Sequence, residues 1–274
     1  MIEILKAILF GVVEGITEWL PISSTGHMIL LNEFVTLDVS KEFWDMFLVV
    51  VQLGAILAVV LLFWNKIFPF NFNKEKGGFI KKDLFVMWFK IIVACLPAAV
   101  VGILFDDILE EKLQNYIVVA ISLIVFGVLF ILVENWNKNK KSKINSLAEI
   151  TYTTAVLIGV FQLIAAIFPG TSRSGATILG ALFIGVSRTV AAEFTFFLAI
   201  PVMFGASLLK IIKFGFSFTG MEVAILLTGM IVSFLVSVFV IRFLMDYIKK
   251  HDFKIFGWYR IVLGIVILGY FFLK

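Results

Sequence analysis

The stretch EGITEWLPISSTGH, residues 14–27, sets two carboxylates, a proline, a run of hydroxyls and a histidine inside an otherwise apolar segment. Its setting makes it unusual. The chain has 274 residues, of which 61% are hydrophobic and only 15% charged, and its mean hydropathy is +1.08. Apolar runs of about 20 residues, the length needed to cross a hydrocarbon core of roughly 30 Å, recur along the whole chain. They are continuous rather than short and alternating, so they read as helices and not as barrel strands. An all-α polytopic membrane protein is expected. Keeping Glu14, Glu18 and His27 there is costly, because a charge at mid-membrane costs at least about 2.5 kcal/mol on insertion scales.

Six spans stand out at 43–64, 84–104, 115–134, 191–213, 222–246 and 255–273. The segments 65–83, 137–143 and 246–254 are rich in lysine, whereas 106–114 is acidic and 214–222 carries no Lys or Arg. The positive-inside rule assigns the three basic loops to the cytoplasm and the other two to the outside. Two segments remain, 1–37 and 147–187, each broken by a proline. The loop assignments make 147–187 enter and leave by the cytoplasmic face. The N-terminal segment is not expected to be a removable signal, since Glu14 interrupts its apolar region and no small-residue cleavage pattern follows.

Sliding the sequence by 148 residues lays GVVEGITEWLPISSTGHMILL (11–31) over GVFQLIAAIFPGTSRSGATIL (159–179). Gly11/Gly159, Val12/Val160, Ile16/Ile164, Pro21/Pro169, Ser24/Ser172 and Leu31/Leu179 coincide, and Glu14 faces Gln162. The chain therefore reads as one membrane domain of two repeats. Repeat one covers about 1–136 and repeat two about 147–274, each a Pro-broken re-entrant hairpin followed by three spans. An odd number of spans inverts the second repeat, which puts both termini outside. Inverted repeats with broken helices place a site near the bilayer midplane.

The two breaks supply the chemistry for such a site. Glu14 and Glu18 share one helix face at i, i+4, and Gly11 and Gly15 form a small-residue surface that another backbone can approach. After Pro21, Ser23, Ser24 and Thr25 open the next helix, with His27 three residues beyond Ser24. The second break, PGTSRSGAT (169–177), combines Gly170 and Gly175 with the hydroxyls of Thr171, Ser172, Ser174 and Thr177. Arg173 adds a planar cationic fork suited to phosphate. A Gly/Ser/Thr loop with one Arg at a helix start forms an anion cradle. His251 reads as a solvated loop residue. Glu193 and Arg260, near expected inner ends of spans, read as structural or head-group contacts outside the site. The single cysteine, Cys95, rules out an internal disulfide and a cysteine metal site.

These breaks resemble the signature segments of the bacterial undecaprenyl-diphosphate phosphatase family, also called bacitracin-resistance proteins. EGITEWLPISSTGHMIL matches the first motif and PGTSRSGATI the second, and QLGAILAVVLLFW (52–64) and FFLAIPVMFGA (196–206) are similar to further family segments. The resemblance covers nearly the whole chain. It implies hydrolysis of undecaprenyl diphosphate to undecaprenyl phosphate and inorganic phosphate in the bacterial plasma membrane. It also implies a role in peptidoglycan precursor recycling and in bacitracin resistance, dependence on Mg²⁺ or Ca²⁺, and compatibility with a homodimer. Nothing in the pattern points to nucleic acid. Glu18, Ser24, His27 and Arg173 are then the expected catalytic group. Ser23, Thr25, Gly170, Thr171, Ser172, Arg173, Ser174 and Thr177 are expected to hold substrate, and Glu14 with Glu18 a divalent cation. Three nucleophiles stay open: Ser24 with His27 as base, His27 itself, or a water activated with Glu18. Broken-helix inverted repeats also build secondary transporters, so a carrier or flippase of a phosphorylated polyprenyl lipid is the alternative.

Overall fold

The computed structural model describes residues 1–71, 79–113 and 115–274, and its described residues form twelve α-helices and no β-strand beyond two isolated bridges. Part of the basic segment 65–83 thus lies outside the described residues, as does Gln114 at the end of the acidic one. Six helical stretches are long and apolar enough to cross a membrane. The first, Lys41–Leu62, is built from α3 (Lys41–Val50) and α4 (Gln52–Leu62), and a short α5 (Trp64–Ile67) follows it. The others lie in α6 (Lys82–Leu113), α7 (Tyr116–Asn137), α10 (Arg188–Phe214), α11 (Gly220–Tyr247) and α12 (Lys254–Leu273). They coincide with the six expected spans. The acidic stretch 106–113, read from sequence as a loop, instead continues α6.

Local chemistry sets the ends. Ser40, Asn115 and Thr151 each cap a helix by accepting a backbone N–H, and Thr219 with Glu222 forms a reciprocal capping box. The two Pro-broken segments become helix pairs: α1 (Ile2–Thr17) with α2 (Ser24–Phe34), and α8 (Tyr152–Ile167) with α9 (Arg173–Phe183). At 1.5 Å per residue, legs of 16 and 11 residues reach only about 24 and 17 Å. Neither leg spans a bilayer alone.

Helix α1 packs along α11, α8 along α6, α12 along α7, and α11 on α4. Gly11 and Gly15 make the first of these possible. A Cβ on Gly11 would lie 2.6 Å from the Gly229 carbonyl oxygen, and one on Gly15 2.8 Å from that of Ser233. Central α10 contacts α3, α4, α6 and α9 and buries Phe194, Phe196 and Phe197. Leu235, Phe239 and Phe243 on α11, by contrast, stand out from the bundle. Apolar surface on that scale belongs against lipid. The protein is a multi-pass membrane protein.

Candidate active site

Both breaks end in the same unusual backbone turn. Ser23 (φ +74°) and Ser172 (φ +68°) are the two non-glycine residues with positive φ among those described. Each serine then caps the following helix, Ser23 Oγ accepting from Gly26 N at 3.3 Å and Ser172 Oγ from Gly175 N at 3.1 Å. Such backbone is strained and persists only where its surroundings impose it. The matching positions are therefore Ser23 with Ser172 and Ser24 with Arg173, one residue out of the register that sequence alignment gave. Gly170 absorbs the difference: its φ is +86°, and a Cβ there would lie 2.5 Å from the Val119 carbonyl oxygen.

Arg260 of α12 holds the turns in place. Its guanidinium donates to the Pro21 carbonyl at 3.2 Å in the first break, and to those of Gly170 at 3.1 Å and Thr171 at 2.6 Å in the second. The side chain has no solvent exposure, so Arg260 is not a head-group contact. Gly175 leaves it room, since a Cβ there would sit 2.7 Å from Nη1. The sequence reading set Arg260 aside as a residue near a span end. Its sixth-residue depth inside an apolar run was the available signal, because the insertion cost that singles out Glu18 applies equally to a guanidinium.

With the turns fixed, side chains from both breaks converge. Arg173 Nη2 donates to Glu18 Oε1 at 2.8 Å, Ser24 Oγ donates to Glu18 Oε2 at 3.0 Å, and Ser174 Oγ donates to the Glu18 carbonyl at 3.0 Å. Arg173 Nη1 also reaches the Thr195 carbonyl at 3.2 Å, which locks the fork between α9 and α10. Glu14, one turn earlier, is buried, and its Oε1 has no hydrogen-bond partner.

Other expected residues sit differently. His27 Nδ1 lies 2.7 Å from the Ser23 carbonyl, which makes that nitrogen the donor, and Nε2 lies 2.7 Å from the Tyr259 hydroxyl with the rings stacked. Ser24 is thus bonded to Glu18, and His27 to Tyr259, a residue the sequence gave no reason to pick. Thr177 donates to the Arg173 carbonyl and accepts from Thr195 Oγ1 at 2.9 Å, inside helix packing. Gly170 and Thr171 face Arg260 through their carbonyls, and the Thr171 hydroxyl is buried without a partner. Glu193, also set aside, pairs with Lys66 at 2.7 Å. His251 is exposed and stacks on Tyr247.

A cavity of about 590 Å³ reaches Glu14, Ser24 and Thr25 from one end of the bundle. Lys41, Asn115 and Phe271 line it, marking the end where α3 and α7 begin and α12 finishes. Its walls combine polar groups with Met28, Ile29, Trp44 and Leu48, as an amphiphile with a charged head would require.

Residues 7–266 match the family described as bacitracin resistance protein BacA. An undecaprenyl-diphosphatase of Desulfitobacterium hafniense is 66% identical over 271 residues, covering 99% of this chain and 97% of that protein. Undecaprenyl-diphosphatase 1 of Clostridium acetobutylicum is also 66% identical, covering 98% of each chain. An Enterococcus faecalis undecaprenyl-diphosphatase is 64% identical, covering 97% of this chain and 96% of that protein. With the match running through both breaks and almost every helix, this chain belongs to the BacA bacitracin resistance protein family.

Proposed function

We propose that this chain is an undecaprenyl-diphosphate phosphatase, releasing inorganic phosphate and leaving undecaprenyl phosphate for cell-wall synthesis, with bacitracin resistance as a consequence. The observation that carries the reading is the Glu18–Arg173 pair with Ser24 bonded to it. Phosphoryl transfer asks a protein chiefly for positioning and charge stabilisation. The Glu18 carboxylate occupies the Arg173 guanidinium as a terminal phosphate would. An arriving diphosphate takes over Arg173, and Glu18 is left with the Ser24 proton. Ser24 Oγ then attacks the terminal phosphorus. The anhydride bond to the bridging oxygen breaks, undecaprenyl phosphate departs, and water later cleaves the phosphoserine to give inorganic phosphate. His27, fixed by Ser23 and Tyr259, is the nearby titratable group available to the second step.

Glu14, with the Glu18 oxygen that Arg173 gives up to the diphosphate, would hold the divalent cation. The donor set fits: a buried carboxylate oxygen without a partner stands one turn from a second carboxylate. No cluster of three or more His, Cys, Asp or Glu occurs among the described residues, so the protein would supply a Mg²⁺ ion with carboxylates only and leave the rest to phosphate and water. When bound, the cation neutralises charge on phosphate oxygens.

The architecture we read with this function is an inverted repeat of two re-entrant hairpins. It is supported by the twin serine turns, and by packing in which α1 on α11 corresponds to α8 on α6, and α4 on α11 to α10 on α6. The lysine-poor ends of the spans, the mouth of the cavity and both termini then face outward.

The test is phosphate release from undecaprenyl diphosphate by the purified protein in detergent, where no transport is possible. Release over many turnovers is expected. Tight lipid binding without release would instead identify a carrier or flippase.

A further inference from the structure

A second polar cleft lies at the end of the bundle away from the cavity, where α7 and α9 finish. It encloses about 290 Å³ between residues 134–143 and residues 182–188. Lys140, Lys141, Lys143 and Arg188 line it against a single carboxylate, Glu134. That carboxylate is already committed. Arg188 grips it through Nε at 2.9 Å and Nη2 at 2.5 Å, and the Phe253 N–H donates to it at 2.9 Å. Lys140 stands 3.9 Å over the Trp136 ring, and Lys141 and Lys143 have no acidic partner among the described residues. The other basic segment behaves differently, since Lys249 pairs with Asp246 and Lys254 with Asp252.

Unpaired lysines on a free tail would be a solvated charge run. These are not on a free tail. Lys143 N donates to the Gly185 carbonyl at 2.8 Å, Ser187 N to that of Ile144 at 2.9 Å, and Asn137 Nδ2 to that of Leu182 at 2.9 Å. The backbone of the lysine segment is therefore docked on the α9–α10 connection, which sets its exposed lysines around one hollow. On the rim Trp136 and Phe183 are both more than half exposed, their rings 6.3 Å apart. Tryptophan at a helix end marks the bilayer boundary. Cations around a hollow, with exposed aromatics beside it, suit a molecule whose phosphate faces water and whose chains lie in lipid.

We infer that this cleft binds the phosphate head group of an anionic glycerophospholipid, separately from the diphosphate site. The rim favours a lipid over free phosphate, which would have no use for Trp136 and Phe183.

The test is native mass spectrometry of the full chain in detergent, titrated with phosphatidylglycerol, phosphatidylcholine or inorganic phosphate. One phosphatidylglycerol is expected to be retained in preference to phosphatidylcholine. Lysines near an anionic surface are each worth roughly fivefold in affinity, so a K140Q/K141Q/K143Q variant should bind at least about tenfold more weakly. The matched K6Q/K112Q/K274Q variant removes the same charge at the opposite end of the bundle and should bind normally. W136A/F183A should weaken phosphatidylglycerol binding further. Equal binding by the two triple variants would overturn the site. Displacement of the lipid by millimolar inorganic phosphate, or full binding by W136A/F183A, would overturn the lipid assignment. Phosphate release by every variant shows that the protein is folded.

Discussion

Glu18 Oε1 and Arg173 Nη2 lie 2.8 Å apart, and this ion pair ties the two chain breaks together across 155 residues of sequence. Each charge alone would be prohibitive at that depth, so each break needs the other. The pair also satisfies the Arg173 fork, which donates to Glu18 and to the Thr195 carbonyl. A site assembled from two halves of the chain is exacting about geometry, and this exactness makes it testable.

Arg173→Lys keeps the charge and loses the fork. Lysine is a point donor and cannot reach Glu18 or phosphate while also holding the Thr195 carbonyl. We expect kcat/KM to fall roughly 100-fold or more, the scale of losing one charge-stabilising donor. Near-normal turnover of that variant would make Arg173 a structural cation. Glu18→Gln should cost much more than Glu14→Gln, because both Glu18 oxygens are engaged while Glu14 keeps one without a partner. Metal titrations of the two variants measure the difference.

Ser24→Ala should be inactive, and a phosphorylated Ser24 should be recoverable from wild type quenched at short times. Its hydroxyl donates to Glu18 at 3.0 Å, so the variant removes the proposed nucleophile without disturbing Ser23, which caps α2. Substantial turnover by Ser24→Ala would pass the role to His27 or to a water. Tyr259→Phe tests whether His27 takes part at all. It frees His27 Nε2 from its 2.7 Å partner and should shift the pH profile of the reaction if His27 moves protons in it.

The spans were legible because continuous apolar runs between charged loops admit little else, and all six appear as helices. Glu18, Ser24 and Arg173 were legible because polar side chains at membrane depth have few structural excuses. What stayed hidden depends on contacts between distant segments. The Tyr259 partner follows from how α12 packs on α7 and α2, and the Ser24–Glu18 bond and the one-residue offset belong to turns that Arg260 of the same helix holds from a distance. No local periodicity encodes that. Arg260 was visible in the sequence, but its three carbonyl partners were not.

Arg260→Lys is predicted to damage folding and activity together. A lysine ammonium cannot span carbonyls in both breaks, and each buried carbonyl left unpaired costs about 1–3 kcal/mol. The strained serine turns relax, and Ser24 and Arg173 move apart. Thermal unfolding in detergent should shift downward and kcat should drop, with Arg260→Met worse than Arg260→Lys. Gly175→Ala should reproduce the kcat loss in milder form, since its Cβ would press on Nη1 at 2.7 Å. Wild-type kcat in both Arg260→Lys and Gly175→Ala would mean that the catalytic geometry does not depend on this staple.

The remaining prediction concerns the face from which the site is reached. The cavity that arrives at Ser24 opens where α3 and α7 begin and α12 ends, and the lysine-rich segments lie at the opposite ends of those helices. By the positive-inside rule we expect the mouth to face outward. Ser23 is a poor place for a probe, being buried and committed to capping α2, whereas Thr25 lines the cavity and its side chain caps nothing. In a Cys95→Ala background the chain has no other thiol, so Thr25→Cys reports on one position. A membrane-impermeant maleimide added to intact cells should label it, and undecaprenyl diphosphate added to the purified protein should protect it. Labelling confined to inside-out vesicles would reverse the orientation while leaving the Glu18–Arg173 chemistry in place. Labelling from both sides would mean that the bundle opens alternately to each, as two inverted halves closing on one shared ion pair could do.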